Sequence, residues 1–504
     1  MGLIQRQTIQ GTIFSYAGIV VGFLTVGLLL PNILEKSQVG LIQLLMGVAV
    51  ILTQFANLGI NGAGGRYFPY FRNYERGHGG FLLLSLGISL VGFTGSVGLV
   101  FAFQDYIQVE YAKGSALFVQ YYLLLIPLTF ATLFFNLFDN YARLLYDNVT
   151  GTFLKDFLQR VLFLGVAIAH WQGLISFPML LVGWLGSYLI PLVLMIVSIV
   201  RNGHFTLSPR HLVLSPNLLR SLLRYAGLTL MTGLSTQLVL QIDKLYLNEL
   251  QGLGNTGIYG TAAAFGSVIA APATMLYKVS GVVIADSWRE NNLANIRLIY
   301  EKSCLSQLAI GCLAFVGIAV NLPGLFQFLK PGYEAGYYVI LWIGLAKLID
   351  MATGVNGQIL GTSNRYAWDS AFVVAMVVLT VLITPGLIRT HGMNGAAVGL
   401  VIATGLFNLA RTGFVWYAFG LQPFSWRNAA VLLLAGQVWF LVSLPPHLSG
   451  SKLLAVSDIA LRSAAVVVLY MGTLLALRLY PDLNGLLARL WRTRGDSRSR
   501  MNRP

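Results

Sequence analysis

Apolar residues arrive in this 504-residue chain in about fourteen blocks, each long enough to cross a bilayer as a helix of roughly 20 residues. No other feature constrains the chain as much. Only 18 acidic and 33 basic residues occur, and nearly all of them fall between the blocks, where water can solvate them. The expected fold class is an all-α polytopic membrane protein of about 14 transmembrane helices.

Hydropathy places the spans near 9–30, 38–60, 80–103, 115–138, 154–172, 177–200, 222–246, 255–280, 303–325, 335–357, 368–388, 393–417, 427–446 and 456–479. Charge sorts with them. The two termini and the even-numbered connections carry most of the basic residues, among them Arg66, Arg72, Arg76, Arg201, Arg210, Arg220, Arg224, Arg289 and Arg297. The odd-numbered connections carry Lys36, Lys113, Lys330, Arg389 and Lys452. By the positive-inside rule both termini are expected in the cytoplasm, and removing one span would scramble the segregation.

A formal charge of +15 could suggest nucleic acid. These charges instead lie in short turns and in a tail from Arg489 to Arg503, where anionic headgroups attract them, so membrane lipids are the expected partner and nucleic acid is not. The first block is too long for a signal-peptide core and is read as a retained helix. Cys304 and Cys312 share the ninth span, which leaves no disulfide framework. The six histidines are scattered, and no Walker loop, dinucleotide fingerprint or HExxH pattern is present, so no catalytic residue, cofactor or metal is expected. Gly62-Ala63-Gly64-Gly65 reads as a flexible helix end and Gly77-His78-Gly79-Gly80 as a turn.

The chain also repeats itself weakly. A shift of 217 positions sets Val39-Gly40-Leu41 on Thr256-Gly257-Ile258 and Phe71-Arg72-Asn73 on Trp288-Arg289-Glu290. A second match sets Asp139 against Asp350 and Asp156 against Asp369. The repeat divides the chain into a six-helix bundle over 1–210, a second over 211–420, two additional helices over 421–480 and a basic tail over 481–504.

At these residues the sequence resembles a known family. Leu30-Pro31-Asn32 followed by Val39-Gly40, then Gln241-Ile242-Asp243-Lys244, Thr256-Gly257-Ile258-Tyr259-Gly260 and Ser287-Trp288, is similar to the polysaccharide transporters and Wzx-type oligosaccharide flippases of the multidrug/oligosaccharidyl-lipid/polysaccharide (MOP) exporter superfamily. The resemblance runs from about 5 to 480. It implies a MATE-like, V-shaped pair of six-helix bundles around a cavity open alternately to either side. The implied cargo is a polyprenyl-pyrophosphate-linked oligosaccharide, moved from inner to outer leaflet of the bacterial cytoplasmic membrane for O-antigen, capsule or exopolysaccharide. Polysaccharide polymerase and glycosyltransferases are the implied partners, and proton or sodium coupling is left open.

Candidate residues follow from chemistry. Arg66, Arg72, Arg143, Arg289 and Arg365 stand at the cytoplasmic ends of spans, where a pyrophosphate could be met by charge-assisted hydrogen bonds. Amides such as Asn57 and Gln241 suit sugars. Ionisable groups inside spans cost about 2.5–3.5 kcal/mol at a helix centre and should face protein or water. Asp243, Lys244 and Asp350 are the coupling or gating candidates. Lys347 is placed with the cavity residues, although its spacing from Asp350 also suits mutual neutralisation. Arg411 is expected to snorkel to the surface, and Pro127, Pro178, Pro191, Pro272, Pro323 and Pro385 are expected to kink or edge their spans.

Three alternatives stand beside this reading. A drug/cation antiporter would want an acidic residue in the first bundle, and the first four expected spans hold none. A lipid II flippase family member would carry arginine in its first span, whereas none lies between Arg6 and Arg66. A membrane polymerase or ligase would need a large outer loop, and every loop here is short.

Overall fold

The structure, a computed structural model, describes residues 3–73, 77–111, 114–207, 215–448 and 451–480. Arg76, Lys113, Arg210 and the basic tail lie outside the described residues. Among the described residues there is no strand, and nine helices are long and apolar enough to cross a membrane. The chain is a multi-pass, all-helical membrane protein.

Each expected span coincides with a helical run, and the runs cover 3–33, 36–71, 81–110, 116–144, 149–171, 177–201, 216–251, 253–289, 293–326, 337–362, 366–391, 393–419, 426–443 and 452–476, several with a short irregular turn inside. Two consecutive pairs are fused. Pro216–Arg289 is interrupted at Gly252 (φ 78, ψ 177) and Tyr366–Phe419 at Gly392 (φ 60, ψ −140). Both conformations are open to glycine and costly for a residue with a Cβ, so each hairpin turn rests on one glycine.

Several expected details change. The fourth run continues to Leu144, six residues past the expected end. Gly62 to Gly65 is a regular helix, Ile60–Phe71, because Leu58 (φ 46) and Gly59 (φ 75) break the second run and the chain restarts behind them. Gly64 is buried there against Phe81 and Leu144. Pro178 occupies a helix start and Pro127 lies in the first turn of Leu125–Leu144, where a missing N–H is tolerated, while Pro191, Pro272, Pro323 and Pro385 are interior. Two π-helical turns, Phe23–Leu29 and Phe153–Leu158, were not anticipated.

Packing divides the described residues into two compact units, those within 1–265 and 370–403 and those within 266–369 and 404–504. Packing density defines these units, whereas the six-plus-six division rests on the repeat, and the two need not coincide. The first unit holds two apolar clusters, one around Phe68, Phe81, Tyr141 and Met195, the other around Leu41, Leu45, Leu128 and Trp184. The second holds one, around Leu308, Cys312, Met351 and Tyr470. Because lipid tails are as apolar as leucine, helices in a bilayer associate by close approach, and glycines supply it here. A Cβ on Gly18 would stand 1.8 Å from the Asp156 carbonyl oxygen, and one on Gly92 2.0 Å from that of Ala56.

Candidate functional site

An ion inside an apolar helix must find a partner, and in the first unit the fourth and fifth runs show how. Asp139 is 8 % exposed. One helical turn on, Arg143 donates Nε to both its carboxylate oxygens at 3.1 and 3.0 Å, and Nη2 lies 3.0 Å from Oδ2. The carboxylate lies against Gly151, where a Cβ would be 1.6 Å from Oδ1. Lys155 is exposed and donates from Nζ to Asn136 Oδ1 at 2.7 Å. Its neighbour Asp156 accepts from Ser15 Oγ at 2.8 Å. Both charges sit on the π turn Phe153–Leu158, a widened turn that re-aims side chains and recurs at functional sites.

This cluster departs from the sequence reading in one consequential way. An acidic residue does lie within the first four helices, because Asp139 falls in the extended fourth run. The argument against a cation antiporter that rested on its absence is withdrawn. In the sequence Asp139 and Asp156 stand out through the repeat match with Asp350 and Asp369, and their pairing with Arg143 and Ser15 is seen only in the fold.

The second group surrounds Asp243, which is buried and accepts a short hydrogen bond from the Tyr259 hydroxyl and one from the Lys244 backbone N–H at 2.8 Å. Lys244 Nζ donates to Gln241 Oε1 at 3.2 Å, and Gln241 rests on Gly47 of the second run. Asp243, Lys244 and Gln241 are thus brought together, with Tyr259 as the partner that sequence reasoning had placed in a motif but given no role.

In the second unit Asp350 is half-buried and held by neutral donors, Asn408 Nδ2 at 3.2 Å and the Tyr277 hydroxyl at 3.4 Å. Asn408 Oδ1 in turn accepts from Thr353 at 2.8 Å and Asn356 at 3.1 Å, and Asn356 also donates to Thr412 at 3.2 Å. Among the described residues no ion pair joins Lys347 to Asp350, so the expected neutralisation does not form. Arg411 does not snorkel. It is 15 % exposed, lies 2.6 Å by Nε and 2.5 Å by Nη2 from Asp369 Oδ1, and stacks 4.3 Å over Phe407.

The remaining arginines are not gathered with these groups. Arg72 caps the fourth run, donating to the Leu144 carbonyl at 3.0 Å and the Tyr146 hydroxyl at 2.6 Å. Arg66 stacks over Tyr225 at 5.0 Å. Arg289 is 76 % exposed beside Asp286 and Glu290, and Arg365 is exposed near the Phe419 ring. Asn57 is buried at a helix end, its Oδ1 3.4 Å from the Asn61 N–H. Arg462 is structural, since it bonds Asp458 and the carbonyls of Val442, Pro445 and Pro446. Among the described residues no three His, Cys, Asp or Glu side chains gather as a metal site.

No protein-family model and no curated protein matches the chain. Solved structures do. The lipid II flippase MurJ in an inward closed conformation superimposes with a TM-score of 0.72 at 12 % identity, covering 93 % of this chain and 99 % of MurJ. A multidrug resistance MATE family transporter of the MOP superfamily, inward-facing, gives 0.59 at 16 % identity over 84 % of this chain and 96 % of its own. A MOP superfamily transporter from Pyrococcus furiosus, described as having a binding pocket of reverse polarity, gives 0.53 at 15 % identity over 86 % and 97 %. These neighbours are transporters and flippases, and the chain shares their fold.

Proposed function

We propose that the protein is a flippase that carries a polyprenyl-pyrophosphate-linked oligosaccharide from the inner to the outer leaflet of the bacterial cytoplasmic membrane, by alternating access, for surface polysaccharide. The observation that carries this reading is the cationic surplus at the ends of the fourth and fifth runs. Arg143 is 44 % exposed and Lys155 is exposed, each held in place by Asp139 or Asn136, and with Asp156 and its neighbour Arg160 on the fifth run the three cations outnumber the two carboxylates by one. An anionic headgroup fits there by charge-assisted hydrogen bonds, and a cationic drug does not. Lipid II is the cargo named for one neighbour. The lack of arginine between Arg6 and Arg66 favours an oligosaccharide carrier over it. Asp350, whose carboxylate accepts hydrogen bonds from the neutral donors Asn408 and Tyr277 among the described residues, is the coupling residue in this reading, open to a proton or a sodium ion.

Deletion of the gene followed by leaflet-resolved analysis of polyprenyl-linked saccharides tests the proposal. Complete units trapped on the cytoplasmic leaflet, with surface polymer lost, support it and identify the sugar. Units that reach the outer leaflet unpolymerised point to a polymerase or ligase, and an unchanged lipid-linked pool points to an antiporter.

A further inference from the structure

Apart from these charged groups, the first unit carries an apolar groove of about 610 Å³. Its walls are Leu83, Leu84, Ile88 and Val91 of the third run and Leu223 of the seventh, with Leu58 behind. From Leu83 to Val91 the groove follows the helix for about 12 Å at 1.5 Å per residue. Two glycines, Gly87 and Gly227, line it. Glycine in a membrane helix normally lets a second backbone approach, yet a Cβ on either of these would meet nothing within 4 Å. The room they open is filled by no part of the described chain.

The charge beside the groove is specific. Arg220 and Arg224 stand three residues before Leu223 and Gly227, on the same side of the seventh run and toward its N-terminal end. Both are exposed, and among the described residues neither has a carboxylate partner. An apolar groove with free room at two glycines, with Arg220 one turn before its first residue on this run and Arg224 alongside, complements a branched chain ending in a multiply charged phosphate. A straight acyl chain on a singly charged phosphodiester uses neither the room at the glycines nor the second arginine.

We infer that this groove seats the chain of a polyisoprenyl pyrophosphate, with its pyrophosphate on Arg220 and Arg224, as a lateral site where the lipid-linked cargo waits before it is moved. The inference rests on the flippase reading for the identity of the lipid, and not for the existence of the site.

The purified full chain in phospholipid nanodiscs is irradiated with a polyisoprenyl pyrophosphate that carries a diazirine in its chain. Labelled peptides are expected over 83–91 and 223–227, competed by unlabelled polyisoprenyl pyrophosphate and not by phosphatidylglycerol. Gly87→Phe and Gly227→Phe fill open space at helical φ, so they keep the wild-type melting temperature and cut labelling at least tenfold. R220Q with R224Q weakens competition by the pyrophosphate and leaves the melting temperature unchanged. Labelling that survives both filling variants, or that phosphatidylglycerol competes equally, reduces the groove to an ordinary lipid seam and overturns the inference. Specific labelling in a protein whose deletion traps no lipid-linked saccharide keeps the site and removes the flippase reading instead.

Discussion

Gly40 and Gly257, 217 positions apart, each face the backbone that carries the other. A Cβ on Gly40 would stand 2.0 Å from the Leu253 carbonyl oxygen, and one on Gly257 2.1 Å from that of Lys36. Lys36 and Leu253 are separated by the same 217 positions, so the contact maps onto itself under the shift that aligned the two hairpins. A self-complementary contact between equivalent segments is what a local two-fold relation produces. The structure thus supplies a physical reason for a repeat that the letters alone carry faintly.

The crossing predicts a steric outcome. Gly40→Ala or Gly257→Ala places a methyl group in a carbonyl oxygen, and overpacking of this kind costs about 1–3 kcal/mol. Thermal unfolding in detergent reads it, with Gly254→Ala as the control because a Cβ there meets nothing within 4 Å. A Gly40→Ala protein that unfolds no earlier than the control shows that the helices do not cross this tightly.

At the fourth and fifth runs stability and transport should separate. Lys155→Gln removes an exposed charge and is expected to leave the melting temperature within a degree or two while lowering surface polysaccharide several-fold. Asp139→Asn loosens the Arg143 guanidinium, and because the pair is partly exposed its loss costs about 1 kcal/mol. Gly151→Ala does more damage than either, since its methyl displaces the Asp139 carboxylate. Normal polymer in the Lys155→Gln strain, with protein level unchanged, removes this cluster from the cargo path.

How far the sequence carried depended on whether a property is local. Span positions were legible because hydropathy over some 20 residues fixes a membrane helix whatever its neighbours do. The end of the fourth run was not, because a hydropathy window stops at the first charge, and Asp139 is neutralised from within the helix by Arg143. Arg411 was misplaced for the same reason. Its partner Asp369 is 42 residues away in sequence, so only the fold reveals that it has no need to reach water. Asp243 and Asp350 could be singled out as ionisable groups inside spans, yet their holders Tyr259, Tyr277 and Asn408 come from other turns and runs. The π turn under Lys155 and Asp156 has no sequence signature in Phe153–Leu158 that separates it from an ordinary helix.

Asp350 is expected to act through its charge. Asp350→Asn keeps one oxygen as the acceptor for Asn408, and its amide nitrogen, in the place of Oδ2, can donate to the Tyr277 hydroxyl, so the network of Thr353, Asn356 and Thr412 stays bonded. Transport driven by an imposed proton or sodium gradient in vesicles should fall at least tenfold in this variant, with little change in melting temperature. Equal loss of transport and stability would instead assign Asp350 to scaffolding.

The pair of Asp369 and Arg411 should behave in the opposite way. Their side chains are 22 % and 15 % exposed, so removing one partner leaves an ion with little access to water. Breaking a buried pair costs about 3–5 kcal/mol, and this one should fall toward the lower end. Arg411→Lys is not conservative here. The guanidinium reaches Asp369 Oδ1 with two nitrogens while its face covers Phe407, and Gly357 makes the space, since a Cβ there would lie 2.7 Å from Nη1. Lysine offers a point charge with no flat face for that slot. A double-mutant cycle of Asp369→Asn and Arg411→Gln should therefore return a coupling of about 2 kcal/mol, within the range for contacting residues. Arg411→Lys should recover less than half of it. A coupling near zero would mean that each side chain is solvated separately and that Arg411 reaches water after all.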